Sequence, residues 1–320
     1  MKIIVTGGSG FIGSNFIDYW MRTHAEDLIV NVDKMTYASD SWYNRNVRRN
    51  KNYTFVKADI SNLKALGKIV EDADTVINFA AETHVDRSIE RADTFLKTNV
   101  SGVYNILELA RKRGFRFHQV STDEVYGSLP RNSDEKFNVE TCYNPRNPYS
   151  ATKASADFLV KSYCNTYGVN ATISNCSNNY GPNQHPEKLI PKTIIYGLLK
   201  RKIPIYGNGE QSRDWIYVED HCSALESILY KGNKGRTYLI SSQCEVRNID
   251  LVTKILGLMG IDEKLIQFVN DRPGHDERYS IDASPFMKEL GWKSTFSLND
   301  GLRKTIDHYR SNIDRYTKKL

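Results

Sequence analysis

The sequence lacks the features of a membrane, secreted or disulfide-stabilised protein. None of its apolar runs approaches the ~20 residues that a membrane-spanning helix needs. Met1–Lys2 leads directly into the strand-like Ile3–Thr6, so we expect no secretory leader. The cysteines are odd in number, far apart and without a CxxC pair, which argues against a disulfide framework or a zinc cluster. They are Cys142, Cys164, Cys176, Cys222 and Cys244. We therefore expect a cytoplasmic protein.

Composition excludes several further classes. At 26% charged and 40% hydrophobic residues, with 11% aromatic, the chain of 320 residues is neither disordered nor fibrous. Its length suggests about two domains. The net charge of +6 is small for this length, and acidic residues are interleaved with most of the basic ones. We therefore expect no nucleic-acid partner and no membrane partner.

Short β-branched runs alternate with helical segments over the first 120 residues. This alternation is typical of βαβ units and predicts an α/β fold, a Rossmann-type doubly wound parallel sheet. A helix is expected over Ser14–Thr23, after the first strand. The predicted strands are Ile3–Val5, Leu28–Val32, Tyr53–Val56, Thr75–Phe79 and Phe117–Val120.

A glycine-rich turn joins the first strand to the first helix. Gly8, Gly10 and Gly13 satisfy G-x-G-x-x-G, and Gly7 precedes them. Asp33 stands at the end of the second predicted strand, 20 residues after Gly13. Glycines allow the backbone to approach a pyrophosphate at the helix N-terminus, and the carboxylate accepts hydrogen bonds from ribose hydroxyls. The pattern predicts a dinucleotide site.

The acidic residues favour NAD as the dinucleotide. A 2′-phosphate would lie against the Asp33 carboxylate, although the adjacent Lys34 could soften the repulsion. Asp59 ends the third predicted strand, where it would meet the adenine end.

A tyrosine and a lysine four residues apart form the candidate catalytic pair. Tyr149 and Lys153 lie in a helix expected over residues 148–167, on one helix face. The preceding strand ends in Ser121–Glu124, at the sheet edge where ligands bind. A neighbouring ammonium stabilises a phenolate, so Lys153 is expected to lower the pKa of Tyr149.

Spacing alone does not identify this pair. Tyr53/Lys57 falls on a strand, Tyr230/Lys234 spans a turn, and Tyr196/Lys200 follows the end of the dinucleotide-binding pattern.

These motifs resemble the extended short-chain dehydrogenase/reductase superfamily, and within it the nucleoside-diphosphate-glucose 4,6-dehydratases, which usually act on dTDP-glucose in rhamnose biosynthesis. The resemblance covers nearly the whole chain in order. It rests on Gly7–Gly13, Asp33, Phe79–Ser88, Ser121–Gly127, Pro148–Lys153, Ser177–Pro182, Pro186–Pro191, Arg213–Trp215 and Asp271–Asp276.

The resemblance implies an NAD-dependent hydro-lyase that oxidises C4, eliminates water across C5–C6 and returns the hydride to C6. Tyr149, assisted by Lys153 and Thr122, would take the 4-hydroxyl proton. Glu124 would remove the C5 proton while Asp123 protonates the leaving 6-hydroxyl. The product would be a 4-keto-6-deoxy sugar nucleotide.

The same resemblance implies two sets of binding residues. Cofactor contacts are expected from Gly7, Gly10, Phe11, Ile12, Gly13, Asp33, Lys34, Thr36, Asp59, Ile60, Phe79, Ala80, Ala81, Thr98, Tyr149, Lys153 and Asn179. Substrate contacts are expected from Thr83, Asn178, Lys188, Leu189, Arg213, Asn248, Arg272 and His275. Ser241–Val246 departs from the family's usual glycine-containing stretch, next to the expected contact Asn248.

The resemblance also implies a domain division and an assembly. Residues 1–179 would form the NAD-binding domain, with returns at about 216–246 and in a C-terminal helix from about 299. Residues 180–320 would mainly form a smaller α/β substrate-binding domain. Helices over 99–112 and 150–167 would pair two subunits as a homodimer. No metal is expected, because no acid–histidine spacing resembles a metal site.

Several alternatives stay open on the sequence. One is a UDP-glucose 4,6-dehydratase, and the next is a sugar-nucleotide epimerase or decarboxylase of the same superfamily. A catalytically inactive NAD-binding regulator would not need Thr122, Asp123, Glu124, Tyr149 and Lys153 intact. A nucleic-acid-binding protein has only the net charge in its favour.

Overall fold

Most strands of the molecule belong to one parallel sheet. The computed structural model describes residues 1–271 and 275–318. The strands of this part of the chain are β1 (Lys2–Thr6), β2 (Leu28–Asp33), β3 (Tyr53–Lys57), β4 (Thr75–Asn78), β5 (Arg116–Thr122), β6 (Ala171–Cys176), β7 (Asn178–Tyr180), β8 (Ile203–Tyr206), β9 (Ser212–Tyr217), β10 (Thr237–Ile240), β11 (Glu245–Arg247) and β12 (Ile266–Val269).

The parallel sheet has the spatial order β3-β2-β1-β4-β5-β6-β10. The chain first builds outward from β1 to β3 and then crosses over to β4, so the strand order reverses between β1 and β4. Ligands of open α/β sheets bind in the crevice at such a reversal, at the carboxyl ends of the strands. The glycine turn after β1 and the ends of β4 and β5 lie at this edge.

Strand β1 is buried on both faces of the sheet. Ile3 and Val5 belong to one hydrophobic core, and Ile4 belongs to the other. Side chains alternate between the faces of a strand, so a continuous apolar run is what a sheet covered on both sides requires.

The helices cover both faces of the sheet and build the smaller unit. They are α1 (Phe11–Thr23), α2 (Leu63–Ile69), α3 (Val85–Glu90), α4 (Ala92–Phe95), α5 (Gly102–Arg113), α6 (Pro148–Tyr167), α7 (Leu189–Leu198), α8 (Val218–Lys231), α9 (Asn248–Met259), α10 (Ser284–Leu290), α11 (Leu298–Ser311) and α12 (Ile313–Thr317). Phe16 and Trp20 of α1 pack with Ile228 of α8 on one face, while Ile106 of α5 and Val160 of α6 pack on the other.

A second group of elements lies after β6. Strands β11, β9 and β7 form a three-stranded sheet, and β12 pairs with β8. Helices α7, α9 and α11 share one core, which contains Ile194, Leu251 and Leu302. This group carries most of the expected substrate residues.

The predicted α/β fold with a Rossmann-type parallel sheet is confirmed, with local differences. The first helix begins at Phe11, because the extended backbone of Gly10 ends the turn earlier than the pattern suggested. The helix expected over 99–112 starts as a π-helical turn, Leu96–Ser101, before α5. Within the described ranges, no helix is long and apolar enough to cross a membrane.

Candidate active site

The glycine turn after β1 leaves space only for glycine at two positions. Gly7 has φ +73°, and a Cβ on it would lie 2.5 Å from the backbone nitrogen of Ala80. A Cβ on Gly13 would lie 2.4 Å from the carbonyl oxygen of Gly7. At the start of α1, Gly10 provides no side-chain cap for the first backbone N–H groups. Such an uncapped N-terminus fits an anionic pyrophosphate.

Asp33 lies at the carboxyl end of β2 and is almost fully buried. Its Oδ2 accepts a hydrogen bond from the Ser9 amide at 2.9 Å. Its Oδ1 accepts from the Met35 amide and the Ser39 hydroxyl, each at 2.8 Å. These donors fix the carboxylate beside the glycine turn, where it lines the cleft.

Lys34 is directed to a different carboxylate. Its Nζ lies 2.9 Å from Asp59 Oδ2, and the Ser61 amide donates to Asp59 Oδ1 at 2.9 Å. Burial opposes ionisation of Asp59, but these contacts outweigh it and lower its pKa. The ammonium that could have softened repulsion between Asp33 and a 2′-phosphate is therefore engaged with Asp59.

All of the expected cofactor residues line one cleft at the switch point of the sheet, from Gly7, Gly10 and Asp33 at one end to Tyr149, Lys153 and Asn179 at the other. The cradle formed by Gly7, Gly13 and the uncapped α1 fits a dinucleotide.

Helix α6 places the tyrosine and the lysine in the same cleft. It begins with Pro148 behind a capping box in which Asn147 and Ser150 exchange hydrogen bonds, so Tyr149 lies in its first turn. Lys153 follows one turn later, and its Nζ donates to the Val120 carbonyl of β5 at 2.6 Å. The expected helix over 148–167 is confirmed.

The other Tyr-x-x-x-Lys pairs are not arranged in this way. Tyr53 and Lys57 lie on β3. Helix α7 ends at Leu198, before Lys200, and α8 ends at Lys231, before Lys234.

The surroundings of Tyr149 make its phenol a weaker acid than an ordinary tyrosine. Burial raises the pKa of Tyr149 well above its ordinary value, and the carboxylate of Glu124 is the second-largest cause of this shift. A hydrogen bond with the Thr122 hydroxyl opposes the shift only in part. Lys153 is not among the leading causes of this shift, and the expected lowering of the pKa of Tyr149 by Lys153 stays a prediction. A further positive charge in the cleft would favour a phenolate at Tyr149.

Asp123 and Glu124 occupy different environments although they are adjacent in sequence. Thr122 caps the short 3-10 helix Asp123–Tyr126, in which the two residues come first. Asp123 is 1% exposed, and burial together with Glu124 and Asp214 raises its pKa well above the ordinary value. Its Oδ2 accepts no hydrogen bond from a described residue. Burial thus favours the protonated form of Asp123, whereas Glu124 is only partly buried.

Three of the expected substrate residues share the cleft with these groups. Thr83 follows β4, Asn178 begins β7, and Lys188 stands immediately before α7. Lys188 is 38% exposed, and its Nζ lies 3.8 Å from Glu187 Oε1. The cleft thus continues from Tyr149 and Lys153 towards the smaller unit.

Four further expected substrate residues, Leu189, Arg213, Asn248 and His275, do not line this cleft. Leu189 and Asn248 are the first residues of α7 and α9. Arg213 is buried on β9 and donates to the Ser212 and Asp276 carbonyls at 2.7 and 2.9 Å. His275 Nδ1 lies 2.6 Å from Asp271 Oδ1. Arg272 lies outside the described residues.

The cleft also contains residues that sequence reasoning missed. Ser39 lies on the loop after β2, and Cys176 lies at the end of β6. Gln184 also lines the cleft, where its side-chain amide donates a hydrogen bond to the Asn179 carbonyl. Cys176 could have been found, because it ends a strand next to β5 in the sheet.

One group in the described ranges has metal-ligand chemistry. His84, His185 and Glu187 place ligand atoms within 4.8 Å of one another. Burial opposes ionisation of Glu187, but His84 at 3.0 Å and the charge of Lys188 outweigh it and lower its pKa to about 2. The Glu187 carboxylate therefore already has His84 and Lys188 as neighbours. The expectation that the protein binds no metal stays a prediction.

Known proteins resemble this chain over nearly its whole length. The family model described as GDP-mannose 4,6 dehydratase matches residues 4–305. A dTDP-glucose 4,6-dehydratase of Mycobacterium tuberculosis is 46% identical over 313 residues, covering 98% of this chain and 94% of the relative.

Two solved structures also match this chain over their full length. A dTDP-glucose 4,6-dehydratase of Streptomyces venezuelae with NAD and dTDP bound has a TM-score of 0.96 at 37% identity, covering 100% of both chains. The corresponding enzyme of Bacillus anthracis, in complex with NAD, has a TM-score of 0.93 at 40% identity with the same coverage.

Proposed function

Because the chain belongs to the GDP-mannose 4,6-dehydratase family, we propose that it is a hydro-lyase that converts dTDP-glucose into the 4-keto-6-deoxy sugar nucleotide and water. Its curated relatives and the solved structures of similar sequence carry the name dTDP-glucose 4,6-dehydratase. The observation that carries the proposal is the convergence of Thr122, Asp123, Glu124, Tyr149 and Lys153 on one cleft.

NAD is the cofactor that this cleft fits. The uncapped N-terminus of α1 would hold its pyrophosphate, and Asp33 would accept hydrogen bonds from its adenosine ribose. When bound, NAD supplies a hydride acceptor for C4, a hydride donor for C6 and a positive charge beside Tyr149.

Tyr149 is proposed as the base for the 4-hydroxyl group. Its phenol lies with the Thr122 hydroxyl in the cleft, so both can contact the same sugar oxygen. Lys153 holds the end of β5 through the Val120 carbonyl and brings a positive charge within one helical turn of the phenol. Removal of the hydroxyl proton prepares C4 for oxidation.

Asp123 and Glu124 are proposed as the acid and the base of the elimination. A 4-keto group acidifies the C5 proton, which the Glu124 carboxylate removes. Burial raises the pKa of Asp123 and favours its protonated form, from which it would donate a proton to the leaving 6-hydroxyl. The two carboxyl groups thus supply both proton transfers that the loss of water requires.

The substrate is proposed to lie across the cleft and the smaller unit. Thr83, Asn178 and Lys188 line the cleft, and Lys188 would face the diphosphate. Leu189, Arg213, Asn248, Arg272 and His275 stay predicted contacts. Arg213 would act from a buried position, held over the Tyr279 ring at 4.3 Å.

Product analysis tests this function and separates it from the alternatives. We expect incubation with dTDP-glucose, without added NAD, to give the 4-keto-6-deoxy sugar nucleotide in an NMR spectrum, and Tyr149→Phe to abolish it. Faster turnover of UDP-glucose in direct competition would assign the uridine nucleotide instead. A C4 epimer would support an epimerase, and unchanged substrate from both nucleotides would refute the proposal.

The proposed assembly is a homodimer through the α5 and α6 face. Leu96, Tyr104, Phe158 and Tyr167 on this side are each between 45% and 56% exposed, which is costly for a surface without a partner. We expect light scattering to give the mass of two chains and Phe158→Asp to give one. Phe268→Asp on β12 is the matched control, since Phe268 is equally exposed on another element. A monomeric parent protein would contradict this assembly.

The domain division also stays a proposal. The place of β10 in the parallel sheet supports a return of the chain at about 216–246 to the NAD-binding unit of residues 1–179. Residues 180–320 would mainly bind the sugar nucleotide. The packing of α11 with α7 and α9 is a reason to count this C-terminal helix with the smaller unit. Five unpaired cysteines support a cytoplasmic location.

A further inference from the structure

Asp157 is a buried carboxylate for which the proposed mechanism has no role. It lies on α6 and is 0% exposed. Its Oδ2 accepts hydrogen bonds from Ser121 Oγ at 2.7 Å, Tyr143 OH at 3.1 Å and Asn175 Nδ2 at 3.2 Å. One oxygen therefore ties α6 to the ends of β5 and β6 and to the loop before α6.

The position of Asp157 relative to Lys153 adds a second observation. The two residues are four apart on α6, so their side chains lie on one helix face. Both are attached to successive residues of β5, because Lys153 donates to the Val120 carbonyl and Asp157 accepts from Ser121. Asp157 Oδ1 has no hydrogen-bond donor among the described residues.

The Lys153 ammonium and the Asp157 carboxylate are both buried, and each reduces the cost of burying the other's charge. An isolated charge is costly to bury, and partners that face each other remove much of that cost. Burial lowers the pKa of Lys153, and Asp157 is the foremost group that opposes this. Burial raises the pKa of Asp157, and Lys153 is the foremost group that opposes that shift.

Other titratable groups around the pair do not replace this role. Burial raises the pKa of Cys176 on β6 to about 12, so its thiol is neutral. Asp123 and Glu124, after β5, act on Tyr149 rather than on Lys153. Tyr126 and Tyr143 face Asp157 as neutral phenols, since their pKa values are raised by burial.

We propose that Asp157 is a positioning residue that supplies the buried counter-charge of Lys153 and fastens the strand ends beside Tyr149. This inference rests on the proposed function, because it concerns how the Tyr149/Lys153 pair stays charged and aligned. Asp157 contacts neither substrate nor cofactor in this role. It acts through Lys153.

Asp157→Asn separates charge from hydrogen bonding. Its amide oxygen can still accept from Ser121, Tyr143 and Asn175, so the charge is the main loss. Charges four residues apart on a helix lie about 6 Å from each other. Their interaction corresponds to about two pH units at an effective dielectric constant near 20. We expect the alkaline limb of the kcat–pH profile, where Lys153 loses its proton, to move down by about one to two units.

A measurement without substrate tests the same charge. In Asp157→Asn the uncompensated Lys153 binds its proton more weakly in the folded than in the unfolded state. Stability then rises with pH between the lowered folded pKa of Lys153 and its ordinary value of about 10.4. The deficit in melting temperature against the parent protein should therefore shrink as pH rises towards the ordinary pKa of lysine.

Two further variants keep the test decisive. Asp220→Asn removes another buried carboxylate, which accepts from Thr295 and Phe296, and should give a deficit that does not change with pH. Asp157→Glu keeps the charge but misplaces the oxygens, so kcat should fall while the alkaline limb stays in place. This variant also serves if Asp157→Asn does not fold.

The outcomes distinguish the inference from the proposed function. A parent protein that does not convert dTDP-glucose refutes the function, whatever the melting data show. If the parent is active, an unmoved limb in Asp157→Asn overturns the counter-charge role. A deficit in the melting temperature of Asp157→Asn that does not change with pH also overturns the counter-charge role. An alkaline limb that moves in Asp157→Glu overturns it as well.

Discussion

Replacing Gly7 by alanine tests the close approach on which the cofactor cradle depends. Gly7 has φ +73°, a conformation that costs an alanine about 1 kcal/mol. The new Cβ would lie 2.5 and 2.7 Å from the backbone nitrogen and Cα of Ala80. Backbone atoms cannot rotate away, so the ends of β1 and β4 must separate, at an overpacking cost of about 1–3 kcal/mol.

The sum predicts a loss of about 2–4 kcal/mol in the free energy of unfolding of Gly7→Ala. Each kcal/mol shifts the melting temperature of a chain of about 150–250 residues by roughly 2–4 °C, and by less in a longer chain. Affinity for NAD should fall at least tenfold, because displacement of the turn moves the N–H groups that face the pyrophosphate.

Gly114→Ala is the matched control. Gly114 has φ +80° after α5, and a Cβ there would meet nothing within 4 Å. It incurs the conformational cost alone, about 1 kcal/mol, and should leave NAD binding unchanged. Calorimetry with NAD and thermal unfolding of both variants give the comparison. Equal destabilisation by the two substitutions would show that the contact with Ala80 does not constrain the turn.

The remaining predictions concern the cleft. Glu124→Gln should retain transient absorbance of reduced cofactor on mixing with substrate while product formation falls by about 10²–10⁴-fold, and product at the parent rate would remove Glu124 as the base. Because burial raises the pKa of Asp123, its protonated form is lost as pH rises through that pKa. The rate of dehydration should fall over the same range, in a step separate from the alkaline limb assigned to Lys153, and Asp123→Asn should remove this step alone. NADP should bind at least tenfold more weakly than NAD, because Lys34 is paired with Asp59; equal affinities in calorimetry would contradict this.

Local signals explain why much of the cofactor site could be predicted. The strand, the glycine turn and the helix are consecutive in sequence, so the spacing of Gly7 through Gly13 can be recognised within one short segment. Tyr149 and Lys153 are likewise brought together by one helix with an N-terminal capping box. Such elements depend on a few neighbouring residues, and their patterns are visible in the sequence.

Long-range packing explains what the sequence left out. The engagement of Lys34 with Asp59 depends on how β2 and β3 are aligned. The buried guanidinium of Arg213 depends on the Asp276 carbonyl, 63 residues away. No local pattern records these partners, so a cation that looks available to a diphosphate in the sequence can be bound to carbonyl groups in the fold.

The two adjacent carboxyl groups show how the fold gives similar residues opposite roles. Sequence alone places Asp123 and Glu124 together at a strand end, where a solvated turn would leave both ionised. The short helix that Thr122 caps begins at Asp123, which is buried, and leaves Glu124 partly exposed; both residues line the cleft. Burial raises the pKa of Asp123 and favours its protonated form, which suits its proposed role as the acid, while the more exposed Glu124 is proposed as the base. An elimination that needs one acid and one base can therefore be served by neighbouring residues, provided that the backbone separates their environments.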